Sequence, residues 1–237
     1  MANGKKKARN YLVAAFSSLL TIAIVQGVWP GVIPFETFAA WRTKGSVADW
    51  LIAGWPILAW GFGLQSLILL VHWNDRFMSD RFDGMAPGQI FAAGAIISVK
   101  AGVLEEIAFR WLIFYAQIVW MKVGNFLIFG FLGFGVGCFL HLNLVGPIAN
   151  VMTLGGLHAW LFHPAGWAVG AAIIATNGFF RDGHAYQGWF GLVNSWFAGM
   201  FLFWMMFTYG LPAAILIHFL YDFIIFSLVA LFAAIRR

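Results

Sequence analysis

The chain has 237 residues, of which 62% are hydrophobic and only 10% charged, with a mean hydropathy of +0.85. A soluble domain carries about 25% charged residues, so there is too little polar surface here for a water-soluble fold, and the chain reads as an all-α, polytopic membrane protein. Most of the +5 net charge sits at the two ends, on Lys5, Lys6, Lys7, Arg9, Arg236 and Arg237; no solvated basic face is left for nucleic acid, and such flanks match cytoplasmic headgroups.

Residues 1–10 are therefore expected as a basic cytoplasmic N-terminus and 11–237 as a single transmembrane domain. A spanning helix needs roughly 20 apolar residues. The first runs from Tyr11 to Trp29 and stops at Pro30; with no small-residue cleavage site after it, it reads as an anchor rather than a signal peptide. The second covers Trp50 to Trp73, and the most polar loop follows, from Asn74-Asp75-Arg76 to Asp83-Gly84. Gly88 to Met121 reads as one long helix with Gly102 as a bend. Asn125–Leu144, Ile148–His163 and Trp167–Phe180 are shorter segments, the last two a possible re-entrant hairpin. Arg181-Asp182-Gly183-His184 reads as a polar loop before Trp189–Thr208, and the last helix starts after Gly210 with Pro212 in its first turn. About eight spans put both basic ends on the cytoplasmic side, in the plasma (inner) membrane for a prokaryotic chain. The lone Cys138 excludes an internal disulfide, and the absence of an internal repeat removes the signature of many transporters.

Ionisable residues inside apolar helices are costly and mark function by default. Glu106 and Arg110, four apart on one helix face, are expected as a structural ion pair. Glu105 is rotated about 100° from Glu106 and is left as a reactive carboxylate, a general base for water. His141 stands in another helix and can share that task. His218 and Asp222 again share a face, where the Asp can orient the His and the pair can stabilise charge on a tetrahedral intermediate. The expected catalytic set is thus Glu105, His141, His218 and Asp222, in a polar site between helices.

Glu105-Glu106-x-x-x-Arg110, a later histidine in a Phe/Gly-rich helix and His218-x-x-x-Asp222 after Tyr209-Gly210-Leu211 resemble the CAAX protease and bacteriocin-processing family, over about residues 88–235. The resemblance implies a glutamate-type intramembrane endopeptidase. The first glutamate and His141 would activate water, and His218 with residue 222 would form the oxyanion site. Two positions depart from the family pattern. Its second motif has Phe four residues before the histidine, where this chain has Gly137, with Phe134 on the same face. Its last motif commonly ends in Asn, where this chain has Asp222.

The expected partners are the bilayer and a membrane-associated peptide or protein, lipidated or cleaved near its C-terminus. No cofactor is expected, with zinc as the mechanistic rival because two histidines and a carboxylate make a catalytic zinc set. The alternatives in other classes are a non-catalytic scaffold or immunity-type protein of the same fold, and a proton- or cation-coupled transporter. Cys138 reads as a packing residue, Lys100 as snorkelling, and His158, His163 and His184 as boundary residues.

Overall fold

The computed structural model describes residues 2–36, 38–71, 84–133, 135–163 and 166–236. It is 84% helical, and no strand occurs among the described residues. Helix α1 spans Ala2–Val28 and leads through a short 3₁₀ turn, Ala39–Trp41, into α2, Val47–Val71. Ser46 and Asp49 cap α2 reciprocally: the Ser46 amide donates to Asp49 Oδ2 at 2.7 Å and the Asp49 amide to Ser46 Oγ at 3.3 Å. The polar loop read from Asn74 to Asp83 lies outside the described residues, as does Phe134.

Helix α3, Pro87–Glu105, passes without a break into a π-helical stretch, Glu106–Ile113, and then α4, Phe114–Leu127. The long helix read from Gly88 to Met121 is present, but Gly102 is not its irregular point. A β-carbon at Gly102 would stand 3.0 Å from both the Ile215 carbonyl and the Phe219 amide. The glycine lets α3 lie directly against the backbone of the last helix. The irregular geometry begins four residues later, at the acidic pair itself, in keeping with π-helical turns being frequent at functional sites.

The chain then turns through Phe129, with φ 60°, and through Gly133 and Gly135, with φ 83° and 42°; the two glycines adopt such conformations without steric cost. Asn125 Oδ1 accepts from the Cys138 amide across this turn at 3.0 Å. Helix α5, Val136–Leu140, a second π-helical turn, His141–Val145, and α6, Gly146–Met152, form one helical run. The boundary expected between Leu144 and Ile148 is therefore absent. The glycine turn interrupts the chain earlier, and Pro147 is accommodated at the start of α6. A four-residue α7, His158–Leu161, precedes α8, Trp167–Gly183, which runs three residues beyond the expected Phe180.

A 3₁₀ turn, Ala185–Gln187, joins α8 to α9, Gly188–Tyr209. Helix α10, Leu211–Ile235, follows Gly210 with Pro212 in its first turn. Gly210 has φ 100°, and a β-carbon there would sit 2.5 Å from the Arg42 carbonyl. Only a glycine allows the α9–α10 corner to meet the α1–α2 connection so closely.

Helix α10 packs along α3 and α2, while α8 fills the space between α4 and α9. The core between them holds Phe114, Ile118, Ile173, Phe203, Leu211 and Ile217, all fully buried. Tyr221 on α10 and Asn194 on α9 exchange hydrogen bonds at 3.0 and 3.1 Å, and Trp60 Nε1 on α2 donates to the same Asn194 oxygen at 3.1 Å. Among the described residues, three stretches are long and apolar enough to cross a membrane: Val47–Val71, Ala185–Tyr209 and Leu211–Ile235. The membrane character read from composition accords with these three helices; they are fewer than the eight segments expected.

Candidate active site

The first π-helical stretch begins with Glu106, and its geometry brings both Glu106 and Arg110 fully inside the protein. Their side chains stand 3.1 Å apart, Arg110 Nη1 to Glu106 Oε1, with neither exposed. The contact is charge against charge, because the angles do not make Nη1 a hydrogen-bond donor to that oxygen. Arg110 Nη2 donates to the Gly199 carbonyl at 3.4 Å. Its guanidinium lies over the Phe180 ring at 4.1 Å and the Phe203 ring at 5.5 Å, which supplies cation–π attraction in a desolvated setting. Gly199 makes this approach possible, since a β-carbon there would fall 2.0 Å from Asn177 Oδ1 and 3.1 Å from Arg110 Nη2. Asn177 is itself fixed to α9 by donating to the Trp196 carbonyl at 2.9 Å.

Glu106 has a second partner that spacing on its own helix does not announce. Its Oε1 accepts from His218 Nδ1 at 2.7 Å, a charge-assisted distance. The other ring nitrogen, Nε2, faces Asp222 Oδ2 at 3.8 Å, too long for a direct hydrogen bond. So Asp222 is beside His218, but Glu106 is what orients the ring.

Glu105 points to a different neighbour. Its carboxylate is one-third exposed, and its buried Oε2 has no hydrogen-bond partner among the described residues. His184 Nε2 stands 4.0 Å away. His184, the residue that ends α8, uses Nδ1 to donate to the Phe180 carbonyl at 2.8 Å. That hydrogen bond places a proton on Nδ1, since a carbonyl can only accept, and turns Nε2 toward Glu105. At 4.0 Å the two atoms are too far apart for a direct hydrogen bond, and a single water held between them can bond to both.

Phe180 connects these parts. Buried on α8, it lies against the Arg110 guanidinium on one side, meets His218 edge-on with centroids 6.0 Å apart, and contacts the His184 ring at 4.7 Å. Two acid–histidine couples, Glu105–His184 and Glu106–His218, are thus set side by side by α3, α8 and α10, with Asp222 at their edge.

His141 is elsewhere. It is buried in the second π-helical turn, and its Nε2 donates to the Leu161 carbonyl at 2.8 Å. Phe162 and Trp167 flank the ring at 6.3 Å each, and Gly170 leaves room for it. Gly170 and Phe180 are ten residues apart on α8, or about 15 Å along the axis. His141 therefore joins α5–α6 to the α7 turn and is not brought to Glu105. His184, read from sequence as a boundary residue, is the histidine that faces Glu105, one helical turn after Phe180. His158 and His163 belong to the aromatic packing around Trp160 and Phe162, and Cys138 stays a free, half-buried thiol whose amide serves the Asn125 contact.

Among the described residues, no group of three or more His, Cys, Asp or Glu side chains converges as a metal site. No family model, no curated protein and no solved structure matches the chain.

Proposed function

We propose that this chain is an intramembrane endopeptidase of glutamate type, similar to the CAAX protease and bacteriocin-processing family, acting on a membrane-associated peptide or protein. The observation that carries the reading is the facing of Glu105 Oε2 and His184 Nε2 at 4.0 Å, next to the His218–Glu106 hydrogen bond. With His184 in the role first given to His141, the order of motifs becomes Glu105-Glu106-x-x-x-Arg110, Phe180-x-x-x-His184 and His218-x-x-x-Asp222. The departure at Gly137 then disappears, and only Asp222 remains different from the family pattern.

In this scheme a water donates one hydrogen to Glu105 and one to His184, which leaves an oxygen lone pair for the scissile carbonyl carbon. Glu105 takes a proton as the new C–O bond forms. The carbonyl oxygen becomes an oxyanion that His218, as the imidazolium, stabilises from Nε2–H while its Nδ1–H is held by Glu106. As the C–N bond breaks, the proton on Glu105 passes to the departing amine. No acyl-enzyme forms. Both termini on the cytoplasmic side and about eight membrane segments belong to the same reading.

The experiment is cleavage of quenched membrane-peptide libraries, farnesylated and unmodified, by detergent-purified protein, with and without chelator. Cleavage that Glu105→Gln abolishes and chelator leaves unchanged is the expected result. Activity lost to chelator and restored by zinc would transfer the mechanism to a metal-bound water. No cleavage by folded protein would favour the scaffold reading, for which the fully buried Glu106–Arg110 pair would simply lock α3 against α8 and α9.

A further inference from the structure

On the face of α8 away from the site lies an apolar groove of about 550 Å³, lined by Leu144, Ile148 and Met152 on one side and by Leu192, Val193 and Phe197 on the other. Ile174 and Trp196 form its deeper part, and Arg181 with Asp182 its polar end. Its size falls within the range of small-ligand sites. Leu144, Ile148 and Phe197 are exposed, so the groove opens sideways, toward lipid in a membrane-embedded chain.

The depth of its polar end follows from the neighbouring turn. Tyr186 and Trp189, just beyond α8, are 64% and 77% exposed, and exposed Tyr and Trp collect at the headgroup level. Arg181 and Asp182 are within about a turn and a half of that belt. From there the lining runs inward, from Arg181 to Ile174 over about 10 Å of helix. The groove is thus polar at headgroup depth and apolar below it, as a lipid is.

The polar end is also built for a particular headgroup. Arg181 Nε donates to Asp182 Oδ1 at 2.8 Å, Nη2 stands 2.7 Å from the same oxygen as an ion-pair contact, and the guanidinium lies over the Trp196 ring at 5.8 Å. Both side chains are partly exposed, 40% for Arg181 and 60% for Asp182, so a cation and an anion stand side by side at this end of the groove. We propose that this groove binds one acyl chain of a zwitterionic glycerophospholipid with a primary ammonium headgroup, its phosphate on Arg181 and its ammonium on Asp182. A choline headgroup has no N–H for Asp182, and a glycerol headgroup has no cation. This site is independent of the proposed proteolysis.

The test is native mass spectrometry of detergent-purified protein equilibrated with equimolar phosphatidylethanolamine, phosphatidylcholine and phosphatidylglycerol. One bound phosphatidylethanolamine is expected, favoured about tenfold over either competitor, the scale of one charge-assisted hydrogen bond. Ile148→Trp, which fills the groove, is expected to abolish it. Arg181→Gln with Asp182→Asn is expected to leave a bound lipid but remove the headgroup preference. Equal retention of the three lipids by the native chain, or undiminished retention by Ile148→Trp with an unchanged melting temperature, overturns the proposal. Should Ile148→Trp fail to fold, the Arg181 and Asp182 pair decides it alone: an undiminished preference refutes it.

Discussion

His184→Ala is expected to lower the rate of peptide cleavage by about 10²–10⁴-fold, the usual contribution of a positioned acid–base group, while His141→Ala leaves that rate within a few-fold of the native value. The difference rests on where the two rings spend their nitrogens. His141 commits Nε2 to the Leu161 carbonyl within the α6–α7 region, so its loss removes a structural contact. His184 commits only Nδ1, to the Phe180 carbonyl, and keeps Nε2 facing Glu105. Turnover numbers at saturating peptide, compared with melting temperatures of the same preparations, separate the two roles: His141→Ala is expected to change the melting temperature and His184→Ala the turnover number.

The largest effect on stability is expected at Glu106. It is the ion-pair partner of a fully buried guanidinium and also the acceptor for His218. Glu106→Ala leaves the Arg110 charge uncompensated in the core, which costs about 3–5 kcal/mol. Replacing both members, as Glu106→Leu with Arg110→Leu, is expected to cost less than Glu106→Ala alone, because no bare charge remains and two apolar side chains occupy the volume. Denaturant unfolding in mixed micelles measures both. A double variant less stable than Glu106→Ala would mean that the Phe180 and Phe203 contacts of the guanidinium, rather than its charge pairing, hold this part of the core together.

Much of this arrangement was legible along the chain wherever the partners are close in sequence. Glu106 with Arg110, and His218 with Asp222, lie one helical turn apart, so their shared faces follow from helix geometry alone. The boundaries of α9 and α10 were likewise readable from apolar length, Gly210 and Pro212, while the expected end of the second span at Trp73 lies outside the described residues. Two things were not. Glu106 meets His218 across 112 residues, and nothing local distinguishes that contact from a pairing of His218 with Asp222. His141 drew attention because an ionisable residue in an apolar helix demands a partner, yet its partner is a backbone carbonyl in the α7 region, which no side-chain pattern advertises. His184, which faces Glu105, sits in a short polar run that resembles any loop, one helical turn after Phe180, whose ring contacts Arg110, His184 and His218. The break expected between Leu144 and Ile148 does not occur, because the π-helical turn His141–Val145 carries the chain through from Val136 to Met152.

The most direct test of the account is a double-mutant cycle on cleavage, comparing native protein with Glu105→Gln, His184→Ala and the two combined. If one water is held jointly by these side chains, each single change removes the same activated nucleophile and the double variant is no slower than the slower single one. Losses that multiply in the double variant would contradict it, since they would mean that Glu105 and His184 act on separate steps rather than on a shared water.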